Sequence, residues 1–185
     1  MKRILIIIGS LLALLALAFA FLYFARPYLE PSLQVVTIAK TTEASEFAFG
    51  LGVSDIYTER GPAVIVVGRA EEVDTLTPTV FDEHPALTAQ LRQVDYDRHF
   101  VLLALQGVCS PGHDITIRKI TRREDRVSVW AEFVEIPPHE PQLGLNTYPF
   151  HLVAVAKNGS WGEQIHFDLM KGYKRVADTS QFIPS

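Results

Sequence analysis

Six histidines, a single cysteine and two acidic clusters are the residues of this chain that could ligate a metal or act as nucleophile, acid or base. The histidines are His84, His99, His113, His139, His151 and His166, and none belongs to an H-E-x-x-H pattern or to any pair at metal-ligand spacing. His139-Glu140 runs into Pro141, so it lacks the helix that would bring a second histidine alongside. Cys109 is followed by Ser110, but Gly107-Val108-Cys109-Ser110-Pro111-Gly112 is not the strand–turn–helix of a nucleophile elbow. A reactive thiolate also needs an electropositive setting, and no neighbouring cation supplies one, so Cys109 reads as a packed thiol in a turn.

The carboxylates meet local rules without a site. Asp82 suits a helix N-cap, with Glu83 in the first turn, and Asp95-x-Asp97 flanks Tyr96 in a turn before a strand. Gly50-x-Gly52 precedes no helix, which excludes a dinucleotide or P-loop reading. The residues thus point to no catalytic constellation, no metal and no small-molecule cofactor. Trp130 is placed by strand alternation opposite Val127, Val129 and Phe133, as a half-exposed aromatic suited either to a partner or to packing. His151 alternates with Phe150 and Leu152, and its plainest role is a hydrogen-bonded histidine at the core edge.

These residues follow a very different segment. Ile4–Phe24 contains no charge, no proline and one glycine, between Lys2-Arg3 and Arg26. As a helix it would span roughly 30 Å, the hydrocarbon thickness of a bilayer. Cleavage after Ala16-Leu17-Ala18 or Ala18-Phe19-Ala20 would instead make it a signal peptide and the rest secreted. The run continues past both sites through Phe21, Leu22, Tyr23 and Phe24, which favours an uncleaved anchor with interfacial aromatics. Lys2 and Arg3 place the N-terminus in the cytoplasm and the remainder outside. Cys109 is too distant to be an acylation site, and a lone cysteine permits no internal disulfide.

Of the chain's formal charge of −4, removing Lys2, Arg3 and Arg26 leaves −7 on residues 27–185. An acidic domain without a basic stripe excludes nucleic acid as a partner. The organisation expected is a membrane segment over 1–26, a stiff proline-bearing link over 27–32, and one extracytoplasmic domain over 33–185. Its periodicity is mostly two. Strands are expected around Val35–Ile38, Phe47–Phe49, Ala63–Val67, Phe100–Leu105, Asp114–Ile120, Arg126–Ile136, Tyr148–Ala156 and Ile165–Leu169. Arg123-Glu124-Asp125 reads as a tight connection and Asn158-Gly159 as a hairpin turn. Leu87 and Leu91 mark one helix over Glu83–Gln93. The fold class is all-β: an antiparallel β-sandwich or partly open barrel with one short helix, preceded by an N-terminal transmembrane helix.

In order, Val94-Asp95-Tyr96, the buried run Phe100–Leu105, the loop Gly107–Gly112, the alternating Ile115–Ile120 and Val127–Ile136, and Thr147-Tyr148-Pro149-Phe150-His151-Leu152-Val153 form a pattern. It resembles the PrcB family, named for a subunit of a bacterial surface protease complex, through its C-terminal domain. Phe47–Phe49, Gly52-Val53-Ser54, Val64–Val67 and Leu87–Leu91 are similar to the upstream half of longer members. The family's loop usually carries a Thr-Gly-Gly-Tyr-like run, where this chain has Gly107-Val108-Cys109-Ser110-Pro111-Gly112-His113. The resemblance implies an envelope module that binds or stabilises a protease or other surface complex, and implies no catalytic residues. The expected partners are the lipid bilayer and an envelope protein. The expected contacts are Ser110, Pro111, Gly112, His113, Trp130, Tyr148 and His151. A chagasin-like inhibitor that inserts its loops into a protease is the alternative, and an envelope hydrolase a third.

Overall fold

Period-two alternation becomes strand where one face must be buried, and the computed structural model shows eight strands among the described residues. It describes residues 12–21, 30–40, 61–74, 85–137 and 147–185, in two units, Met1–Pro31 and Ser32–Ser185. The expected strand Phe47–Phe49, Gly52-Val53-Ser54, the cap Asp82-Glu83, His84 and His139 lie outside the described residues, as do both ends of the apolar run Ile4–Phe24. Within the first unit, residues 12–21 are helical and all exposed, including Leu12, Leu14, Leu15, Leu17, Phe19 and Phe21. Among the described residues no helix is long and apolar enough to cross a membrane.

The second unit contains β1 (Val35–Lys40), β2 (Ala63–Val67), the helix α1 (Pro85–Arg92), β3 (His99–Leu105), β4 (Asp114–Arg123), β5 (Arg126–Val134), β6 (Phe150–Ala156), β7 (Glu163–Lys171) and β8 (Lys174–Ile183). The strands form two four-stranded sheets, ordered β1-β6-β3-β2 and β4-β5-β7-β8. Between them lies a core drawn from both, including Phe100, Leu102, Val153, Ile115, Val129 and Phe167. The outer face of the first sheet is also apolar. There Leu87 and Leu91 of α1 pack on Val101, Leu103, Phe150 and Leu152. That second layer is why β3 and β6 read as continuous apolar runs.

Three expectations need correction. The pairing is not wholly antiparallel, because β5 and β7 run parallel. Asn158-Gly159 is not a hairpin turn: it joins β6 of one sheet to β7 of the other, and only the positive φ of Gly159, 89°, follows the expectation. The helix is not alone, since residues 70–74 form a further helical turn between β2 and β3. Strand β8 was not expected. Its residues are mostly exposed, so no apolar alternation marks it.

The sandwich has two chemically different poles. One holds the start of β3 and the link from β6 to β7, where Phe100 packs against Trp161 and Phe167 at ring-centroid distances of 5.3 and 5.6 Å. Arg122 lies 3.9 Å over the Trp161 ring and donates to the Ser160 carbonyl at 2.5 Å. The chain also enters the domain at this pole, where the Leu33 N–H donates to the Ile120 carbonyl at 2.8 Å. At the other pole the two sheets are joined by a histidine.

His151 is 5% exposed and points from β6 into the space between the sheets. Its Nδ1 accepts the Ile117 N–H of β4 at 2.9 Å, and its Nε2 lies 3.0 Å from Thr37 Oγ1 of β1. A backbone N–H can only donate, so Nδ1 is bare and Nε2 carries the proton, which it gives to Thr37. Both partners directly precede a β-bulge. The register skips Ile38 in β1 and Arg118 in β4, which turns Thr37 and the Ile117 N–H toward the ring. Burial first, then the Lys40 and Arg118 charges, lower the imidazole pKa to about 4 against the opposing pull of Asp114.

Unfolded, the ring titrates near 6.5. Folded, it stays neutral until about 4, so the unfolded chain holds more protons between these values and stability falls as pH drops through that window. The loss is at most about 3 kcal/mol. Urea unfolding of the full chain in detergent should give a lower midpoint at pH 4.5 than at 7.5. His151→Leu should lower stability at pH 7.5 by about 2–3 kcal/mol, because Ile117 N–H and Thr37 lose a partner, and should flatten the pH response. The same pH response in both proteins would contradict this role.

Candidate functional site

The histidine tie sets the pole at which the loops gather. Strand register places the ends of β1, β3, β5 and β7 and the starts of β2, β4, β6 and β8 together there. Among the described residues a cleft of about 870 Å³ opens at this pole. Pro62 enters from before β2, Gln106, Cys109 and His113 from the loop between β3 and β4, and Glu135, Ile136 and Pro137 from after β5. Phe133, Lys171, Lys174 and Val176 complete it from β5, β7 and β8.

The β3–β4 loop is held in place from two sides. Cys109 and Thr147 exchange backbone hydrogen bonds at 2.9 and 2.7 Å, an isolated bridge that ties the loop to the residues before β6. His113 Nδ1–H donates to the Ser110 carbonyl at 2.8 Å, closing the turn on itself. Gly112 turns with a φ of 94°, and a Cβ there would lie 2.4 Å from Ile136 Cδ1. The backbone conformation calls for glycine, and a Cβ would in addition push the end of the Ile136 side chain aside. At the mouth, Lys171 pairs with Glu135 and sits 5.5 Å from the Phe133 ring centre.

Burial, and after it the Glu135 carboxylate, push the Cys109 thiol up to about 11, so the sulfur stays protonated at neutral pH. Among the described residues no histidine nitrogen hydrogen-bonds that sulfur. One serine–histidine contact does occur, Ser180 Oγ to His166 Nδ1 at 2.7 Å, but on the exposed outer face of the second sheet. The nearby Asp168 carboxylate is held by Arg126 at 2.5 Å and Arg175 at 3.4 Å rather than by His166. Among the described residues no group of three or more His, Cys, Asp or Glu side chains could hold a metal ion.

Of the residues expected from sequence, Ser110, Pro111, Gly112 and His113 stand together in the loop beside the cleft, half-buried. Tyr148 lies at the same pole and packs on the outer core of the first sheet. Trp130 is elsewhere: it sits on the outer face of the second sheet, half-buried, with Nε1 3.4 Å from Thr121 Oγ1. His151 departs most from the expectation of a contact residue, because it is buried between the sheets with both ring nitrogens engaged. Gln106, Glu135, Lys171, Lys174 and Val176 were not expected. Gln106 reads in the sequence as the tail of an apolar run, and the lysines flank a turn, Gly172-Tyr173, that no strand pair announces.

No family model, no curated protein and no solved structure matches this chain. The likeness to the PrcB family rests on the residues quoted for it.

Two outcomes test this geometry. Alkylation of Cys109 by iodoacetamide in the folded chain should be about 100-fold slower at neutral pH than the ordinary thiol would give, and should climb without levelling off up to pH 10. A plateau near pH 8 would show an activated thiol instead. Gly112→Ala should destabilise the domain by about 1–2 kcal/mol, and adding Ile136→Ala should recover only part, because the backbone strain remains. Full recovery would mean that contact alone requires the glycine.

Proposed function

We propose that this chain is a membrane-tethered extracytoplasmic module that binds another envelope protein, a protease or a complex containing one, through the cleft pole of its β-sandwich. The observation that carries this reading is the cleft itself, built from loops of both sheets and lined by a thiol held protonated. Such a site is suited to recognition rather than bond-breaking. The tether is supported by the uncharged run Ile4–Phe24 and by the exposure of every apolar side chain over 12–21. A helix with apolar residues all round and no partner in water is suited to lipid. Tethering confines module and partner to one membrane, so a modest interface suffices.

The inhibitor reading keeps one specific support. Insertion into a protease needs several loops at one end, and the loop Gly107–His113 and Pro137 do line the same pole. The two readings differ in what enters what: a partner segment in the cleft, or these loops in a partner's cleft.

A photo-crosslinking amino acid placed at His113, Tyr148 or Val176 in the full chain, in its native membranes, should yield discrete adducts with an envelope protein. The same group at Trp130 should not. The chain should also remain with the membrane after alkaline extraction and be accessible to protease from outside. An intact chain recovered in the soluble cytosol, or adducts that form equally from Trp130, would overturn the proposal. Inhibition of a captured protease at equimolar chain would favour loop insertion.

A further inference from the structure

We infer that the cleft receives the C-terminal end of a polypeptide whose last side chain is apolar, with the terminal carboxylate at Lys174. The inference rests on the interaction reading and names the partner's chemistry. Three features lead to it. Gln106, 6% exposed, lines the cleft; its Nε2 donates to the Val134 carbonyl at 3.1 Å, while its Oε1 finds no donor among the described residues. A buried amide oxygen without a donor is costly, and a peptide N–H is the donor an incoming chain carries.

The second feature is charge. Lys171 and Lys174 face each other directly across the β7–β8 turn, a like-charge pair that is unfavourable unless compensated. Glu135 compensates Lys171, and among the described residues no carboxylate pairs with Lys174. Among the described residues, the three charged side chains that line the cleft sum to one positive charge, on a chain whose formal net charge is −4. An anion is what the site lacks. The third feature is the wall between these groups, Phe133, Ile136 and Val176, which offers apolar surface to a terminal side chain. Donor, anion and apolar group in one ligand describe the last residue of a peptide.

The test uses the full chain in an uncharged detergent. The probe is acetyl-Ala-Ala-Ala-Ala-Leu with a free carboxylate, beside its C-terminal carboxamide. The free acid should slow Cys109 alkylation several-fold at saturation and bind at least tenfold more tightly than the amide. Lys174→Glu, on an exposed turn, should erase that difference. Equal binding of acid and amide, no binding of either at millimolar peptide, or an acid preference retained in Lys174→Glu would overturn the inference. If the peptides fail while cleft crosslinks still form in membranes, only the carboxylate chemistry falls. If both fail, the interaction reading falls with it.

Discussion

A neutral imidazole between two sheets is the constraint on which the rest of this structure depends. His151 belongs to β6 yet spends its two nitrogens on β1 and β4, so it joins the edge strands of both sheets at one point. Each nitrogen needs the opposite role, one accepting and one donating, and only the uncharged ring provides both. The bulges at Ile38 and Arg118 bring the partners within reach. Beside it, Lys40 and Asp114 form an ion pair at 2.5 Å between the end of β1 and the start of β4. The join is thus polar, directional and local, unlike the aromatic packing of Phe100, Trp161 and Phe167 at the far pole.

That join determines what the cleft can be. Its lining comes from both sheets, so neither sheet alone encloses it. Asp114 begins β4 directly after the loop that holds Cys109 and His113, and Thr147 fastens the same loop to the approach to β6. The His151 tie, the Cys109–Thr147 bridge and the Gly112–Ile136 contact therefore act in series on one pole. The domain has no disulfide, and its rigidity there comes from hydrogen bonds with fixed donors and acceptors.

Much of the strand content was legible in the sequence. Val127, Val129, Ala131 and Phe133, or Ile165, Phe167 and Leu169, alternate because one face is buried and the other wet. The double-sided runs in β3 and β6 announced a second apolar layer, which α1 supplies through Leu87 and Leu91. Sheet membership was not legible. Asn158-Gly159 favours positive φ whether the chain reverses within a sheet or crosses to another, and here it crosses. β8 escaped notice because an edge strand with a polar outer face carries little hydrophobic signal. Of the site, the loop Gly107–His113 could be read from its turn residues. Gln106, Glu135 and Lys174 could not, since their meeting depends on strand register. His151 was read correctly in chemistry, as a hydrogen-bonded core histidine, but the partners that make it a tie are 114 and 34 residues away.

The central claim is that the His151 ring is neutral, protonated at Nε2 and bare at Nδ1, and it is tested most directly by imidazole nitrogen NMR on the full chain. An acceptor-type Nδ1 and a protonated Nε2 are expected at pH 7, unchanged down to about pH 5. A resonance pattern of Nδ1–H, or an imidazolium forming near pH 6.5, would contradict it.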